Sequence, residues 1–237
     1  MKSMDNPSVI IVPNKEKQDH KTPDPNSSHG LCLAQPSVVF LCGGTGASKT
    51  TTALSLMARG FELEPWGEIF LMSPSVESAM DSKTGEYRLV NVTPLKTFPE
   101  IGFWKGKKGQ KNLLILDDVD LTHLSTRGNP SQRELCDRTL NYVSTHMNLT
   151  VYVMNQTWVG APPFIRKACS HFILYPNRLD RASIPYISKG VMLHKDTLQQ
   201  LFNACIEPYD FLLITLKPDG RCMVRINGYR CVHNVMG

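Results

Sequence analysis

Residues 43–50 read Gly-Gly-Thr-Gly-Ala-Ser-Lys-Thr and follow directly on the apolar run Val38-Val39-Phe40-Leu41. Glycines without a Cβ let successive backbone N–H groups curl around a polyphosphate. A helix opening straight after them adds more unpaired N–H groups and a partial positive charge. Thr51 to Ala58 can form that helix. The spacing therefore predicts a phosphate-binding loop in which Gly43, Gly44, Thr45, Gly46, Ala47, Ser48, Lys49, Thr50 and Thr51 hold ATP. Lys49 would reach the β- and γ-phosphates and Thr50 would ligate Mg²⁺. Ser48 stands where the usual Gly-Lys-Ser/Thr ending has glycine. If that position demands positive φ, its Cβ costs roughly 1–2 kcal/mol, which a folded protein absorbs. The loop is expected to be variant rather than broken.

A second cluster lies downstream. Leu113-Leu114-Ile115-Leu116-Asp117-Asp118 is an apolar run ending in two carboxylates. A buried strand delivers such acids to its C-terminal end, where α/β ligands bind. Asp117 would hold Mg²⁺ through water, and Asp118 would be the base that orients the attacking water. A third run, Leu149 to Met154, ends in Asn155-Gln156. At the end of a strand beside Asp117, Gln156 could contact the γ-phosphate or the water, with Asn155 as the second choice.

These residues need a sheet to carry them. Apolar runs at 37–42, 68–73, 112–117, 149–155 and 171–175 are predicted strands, several of them continuous rather than alternating, as in a parallel sheet covered on both faces. Helices are expected at 50–59, 131–146 and 195–205; Ser131, with Glu134 three residues on, reads as a capping box. Phe211–Leu216 and Cys222–Ile226 flank Lys-Pro-Asp-Gly-Arg, an antiparallel hairpin signal. The gap between the phosphate loop and the Asp-Asp strand holds a complete strand, 68–73. P-loop ATPases of the additional-strand class insert a strand between those two, whereas nucleotide kinases usually place them side by side.

Residues 1–35 are polar, charged and Pro-rich and read as a disordered arm, with 36–237 as the ATPase domain. Within the arm, Val9-Ile10-Ile11-Val12 could add as a strand to a partner or to the body of the chain. The 237 residues suffice for one α/β domain. A net charge of +5 and a pI of about 8.8 permit a polyanionic partner without demanding one. Seven scattered cysteines, with no C-x-x-C pair, argue for a reducing compartment and against a disulfide frame or zinc site. No stretch approaches the roughly 18 apolar residues of a membrane span, and the N-terminus carries no signal-peptide pattern. A soluble intracellular protein is expected.

Taken in order, the loop at 43–50, the Leu-Leu-Ile-Leu-Asp-Asp run at 113–118, His146-Met147-Asn148-Leu149-Thr150 leading to Gln156, Ile165-Arg166-Lys167 with Ser170-His171-Phe172-Ile173-Leu174, and Tyr209-Asp210-Phe211-Leu212-Leu213 resemble the viral genome-packaging ATPases of the FtsK–HerA superfamily. Poxviruses, other large DNA viruses, virophages and Polinton-like elements carry such proteins. The resemblance covers roughly residues 36–217. Thr145 stands where the family often has an arginine, and Ser48 is a second departure. The resemblance implies a RecA-like α/β P-loop fold and a homo-oligomeric ring that drives double-stranded DNA into a preformed capsid. It also implies a capsid or portal partner and work in the host cell interior at the assembly site. In such rings each subunit offers an arginine to its neighbour's γ-phosphate; Arg166 is the first choice and Arg138 the second.

Lys105-Gly106-Lys107-Lys108-Gly109-Gln110-Lys111, beside Trp104, suits salt-dependent contact with DNA phosphates. Thr122 to Arg133, with Arg127 and Arg133, could couple hydrolysis to a moving pore loop. His146 reads as structural. Three rivals stay open: a nucleotide kinase, for which no arginine-rich lid is evident; a small-virus replicative helicase, for which little chain remains; and a non-hydrolysing nucleotide-binding module disabled at Ser48.

Overall fold

The computed structural model describes residues 33, 35–74, 92–124, 130–217, 220, 222–228 and 230–235. The N-terminal arm, with Val9–Val12, lies outside them apart from Leu33 and Gln35, as do Arg127 and its neighbours. Among the described residues no helix is long and apolar enough to cross a membrane.

Among the described residues nine strands form one sheet. They are β1 (Val38–Cys42), β2 (Ile69–Met72), β3 (Val92–Pro94), β4 (Asn112–Asp117), β5 (Leu149–Asn155), β6 (His171–Leu174), β7 (Leu212–Leu216), β8 (Cys222–Ile226) and β9 (Arg230–Val235). Their spatial order is β3-β2-β4-β5-β1-β6-β7-β8-β9. The first six are parallel and the last three antiparallel. The expected hairpin at 211–226 is present, extended by β9.

β1 is VVFLC with every residue buried. Successive strand side chains point to opposite faces, so both faces of β1 must be covered. Phe40 packs with Phe172, Val151, Leu114 and Trp158 on one face. Val39 and Leu41 pack with Tyr152, Ile173, Leu113, Ala53, Leu56 and Leu33 on the other. Helix α1 (Lys49–Leu63) supplies Ala53 and Leu56, closing the second face. Each fully buried Leu or Phe contributes roughly 1.5–3 kcal/mol by leaving water. The sheet is therefore a stiff base for the loops at its C-terminal edge.

Three expectations shift. The strand between β1 and β4 is β5; β2 lies on the outer side of β4. The residues linking β4 to β5 return that strand to the centre, whereas β2 reaches β4 from outside. The helix expected at 131–146 starts at Pro130, the position where proline's fixed φ and missing N–H do no harm, so Ser131 lies inside it. Glu134 instead pairs with Arg138 at 2.8 Å. The same helix loosens into a π turn over Thr139–Val143 before closing at Ser144–His146. His146 sits exposed against Tyr142, ring centroids 4.8 Å apart.

Candidate nucleotide-binding site

β1 runs out at Cys42, and the loop turns at once. The Gly43 amide donates to the Asn155 carbonyl at 3.2 Å and the Gly44 amide to the Arg178 carbonyl at 2.7 Å. These two amides are thus used to anchor the loop to β5 and to the segment after β6. Space is their other role: a Cβ on Gly43 would lie 2.9 Å from the Ala47 and Tyr175 Cβ atoms, and one on Gly44 would lie 3.0 Å from the Arg178 carbonyl. Gly46 has φ 74°. Ser48 has φ 69° and ψ 24° and is the residue that opens α1, so the position left without glycine does demand a left-handed backbone. Its side chain makes no capping hydrogen bond, and the first turn of α1 holds no acidic residue. The helix start therefore keeps its positive end and its first N–H groups for an anion.

Lys49 is buried and donates to the Gly43 carbonyl at 2.7 Å, which holds its ammonium over the loop. Thr45, Thr50 and Thr51 are exposed and Ala47 is buried. Thr52 is the hydroxyl that turns inward, accepting a 2.6 Å bond from the Tyr175 hydroxyl.

β4 brings its carboxylates to the same edge. Asp117 is half-buried; burial raises its carboxyl above the ordinary range, the neighbouring Asp118 charge adds to the rise, and Lys49 opposes it. Asp117 and Lys49 are thus within electrostatic reach. Asp118 leaves the strand at φ 48° and donates its amide to the Met154 carbonyl at 3.1 Å. Its carboxylate accepts a 2.9 Å hydrogen bond from Gln156 Nε2. Asn155 Oδ1 instead accepts the Thr157 amide, which ties its carboxamide oxygen to its own turn.

Arg166 is held by the segment after β5, close to the end of β1. Its guanidinium donates to the Trp158 carbonyl at 2.6 Å and sits 5.1 Å over the Trp158 ring. Burial lowers its pKa, with Cys42 and Cys169 in electrostatic reach. Arg138 is exposed and, among the described residues, pairs with Glu134 one turn back. Arg133 is half-buried, 5.4 Å over Phe164.

The basic loop divides in two. Lys111 is buried, donates to the Gly60 and Glu64 carbonyls at the end of α1, and lies 4.0 Å over Trp66. Burial lowers its pKa against the pull of Glu64. Lys107 pairs with Glu68 beside Phe70 and Phe103. Trp104 is a core side chain, edge-on to Phe70. Lys105 and Lys108 remain exposed.

Sequence reasoning gave no site role to Tyr175 or Arg178, and quoted Tyr209-Asp210 only for the resemblance. The signal was available only through topology, because a strand beside β1 must open next to the phosphate loop.

No family model matches the chain, and no curated protein sequence does. Among solved structures it is similar to the DNA-packaging ATPase B204 of Sulfolobus Turreted Icosahedral Virus. The two are 16% identical with a TM-score of 0.59, over 82% of this chain and 98% of that one. It is also similar to the genome packaging NTPase B204 of Sulfolobus turreted icosahedral virus 2 in two complexes. With AMPPCP the values are 13% identity, TM-score 0.54, 81% of this chain and 98% of that one. With ATP-gammaS they are 14%, 0.54, 81% and 98%. The likeness shows the fold, a P-loop α/β architecture.

Proposed function

We propose that this chain is an ATP-driven double-stranded DNA translocase that packages a viral genome into a preformed capsid in the infected cell. The observation that carries the reading is the meeting of Lys49, Asp117, Asp118 and Gln156 at one edge of the sheet, with Gln156 bonded to Asp118. That meeting supports hydrolysis over binding alone. The structures with the same fold are named as genome-packaging NTPases, and two of them hold ATP analogues, which supports carrying both nucleotide and task to this chain.

The residues present fit ATP and Mg²⁺. An open turn at Gly46, φ 74°, and an uncapped helix start suit a polyphosphate. A half-buried carboxylate beside a second one, with the exposed Thr50 hydroxyl, is an oxygen donor set for a hard cation. In this reading Lys49 and the amides of residues 45, 46 and 48–51 bind the phosphates, the Ala47 amide being bonded to the Gly44 carbonyl. Thr50 and Asp117 hold Mg²⁺, which when bound neutralises charge on the phosphate oxygens. Asp118 orients the attacking water and accepts its proton, and Gln156 fixes the Asp118 carboxylate.

A homo-oligomeric ring and a capsid or portal partner belong to the same proposal. An arginine offered to a neighbour must be free to leave its own subunit. The exposed Arg138 meets that condition better than Arg166, which would forfeit its bond and stacking with Trp158. Mixing Lys49→Ala subunits with either arginine variant tests this: activity should return with Arg138→Ala and not with Arg166→Ala.

The deciding experiment is ATP hydrolysis by the full chain with and without double-stranded DNA, beside Lys49→Ala and Asp118→Asn. DNA-stimulated turnover lost in both variants is expected. Binding without turnover under every condition would leave a nucleotide-binding module, and turnover indifferent to DNA would sink the translocase.

A further inference from the structure

We propose that the corner built from Tyr175–Arg178 and the loop 205–210 receives the purine base of the nucleotide, with Ile206 and Tyr209 as its apolar contacts and Arg178 beside them. This rests on residues 43–51 being the polyphosphate site. The residues suited to the γ-phosphate end, Asp117, Asp118 and Gln156, belong to β4 and to the end of β5, on one side of β1. A nucleoside triphosphate lying along the loop then has its base on the opposite side, toward β6.

What stands there is set by register. Leu174 pairs with both Cys42 and Leu212, so the chain leaving β6 and the chain entering β7 emerge at the same edge as the phosphate loop. The Gly44 amide bonds directly to the Arg178 carbonyl at 2.7 Å. Tyr175 packs against Gly43, and its ring lies 5.7 Å from that of Phe211.

The loop 205–210 is held rigidly against this segment. Asp210 Oδ2 accepts the amides of Ile206 and Glu207 at 2.9 and 3.0 Å, and its Oδ1 accepts Asn227 Nδ2 at 2.7 Å. Asn177 Nδ2 donates to the Glu207 carbonyl at 2.7 Å. Yet Ile206 is 82% exposed and Tyr209 61% exposed. A fixed backbone that holds two large apolar side chains in water, beside a phosphate loop, suits a flat heteroaromatic ring. The exposed Arg178 guanidinium can lie on the same ring system.

The test measures binding of ATP and of inorganic tripolyphosphate, which has no base, to the full chain. Tyr209→Ala and Ile206→Ala should each weaken ATP about tenfold, the scale of one lost base-stacking contact, and leave tripolyphosphate unchanged. Tyr209→Phe should bind ATP as the parent does, and 8-azido-ATP should label the peptide 205–211. Parent-like ATP affinity in both alanine variants, with both ligands lost in Lys49→Ala, would overturn the base subsite and leave the phosphate site standing. Lys49→Ala binding both ligands normally would remove the phosphate reading and this proposal with it. Loss of subunit association together with both ligands in Tyr209→Ala would mark the loop as a contact between copies and overturn the proposal.

Discussion

Gln156 donates to the Asp118 carboxylate at 2.9 Å although 38 residues separate them in the chain. The contact exists because β4 and β5 are parallel neighbours whose register sets Asp117 opposite Met154, which brings the residues just beyond each strand end together. Asp118 reaches it from a left-handed backbone, φ 48°, that turns the carboxylate off the strand.

If Asp118 orients water, the bond to Gln156 fixes its direction. Gln156→Ala should lower kcat by about 10²-fold, the low end of what a positioned base contributes, with the KM for ATP nearly unchanged. Gln156→Glu should set a second carboxylate against Asp118 and move the acidic limb of the pH–rate profile to higher pH. A parallel rise of KM in the alanine variant would mean that Gln156 binds substrate rather than positions the base.

Ser48 adopts φ 69° with a Cβ. Ser48→Gly should stabilise the protein by about 1 kcal/mol, the left-handed penalty less the greater freedom of an unfolded glycine. For a chain of this size that is a rise in Tm of roughly 2–4 °C. Ser48→Val should move Tm the other way. Turnover in Ser48→Gly within a few-fold of the parent would show that serine does not silence the loop; a large gain would show that it does.

The apolar runs of β1, β4, β5 and β6 were legible because strands buried on both faces must be continuously apolar, and the polar residues that end them fall at the ligand edge. Their order across the sheet was not, since periodicity specifies faces and not neighbours. That is why β2 read as the inserted strand where β5 takes the place. Lys107 and Lys111 read as free charges because their partners, Glu68 and the carbonyls of Gly60 and Glu64, lie 39 or more residues away. Arg178 was silent for a related reason: it anchors the loop through its carbonyl, which every residue has.

His171 is buried in β6, next to Ser170 Oγ at 2.8 Å. Burial, aided by the Arg225 charge, lowers its pKa to about 4 from the ordinary 6.5. The neutral form is the one that fits, so the unfolded chain takes up a proton first as pH falls. Its contribution is whole above pH 6.5, declines between 6.5 and about 4, and is gone below. At a pKa difference of this size the loss is of the order of 3 kcal/mol. Urea midpoints for the parent should fall from pH 7.5 to pH 5, and His171→Gln should remove most of that slope. An unchanged slope would place the acid sensitivity on other groups.

The four lysines between Trp104 and Asn112 offer the sharpest contrast between a structural and a DNA-binding charge. Lys111 closes the end of α1 through two carbonyls and lies on Trp66. Lys111→Met should cost about 2–3 kcal/mol of stability, the range for buried hydrogen bonds from a charged donor, because the Gly60 and Glu64 carbonyls lose their partner. Lys107→Met should cost less, since Lys107 and Glu68 are both partly exposed and their attraction is screened. Lys105→Ala and Lys108→Ala should leave Tm unchanged, as both side chains stand in water. If DNA phosphates meet this loop, each of those two should weaken double-stranded DNA binding and shallow the plot of log K against log salt by about 0.9. The same slope in parent and double variant would place the DNA-facing charge elsewhere on the chain, while a fall in Tm would mean that these two lysines are structural as well.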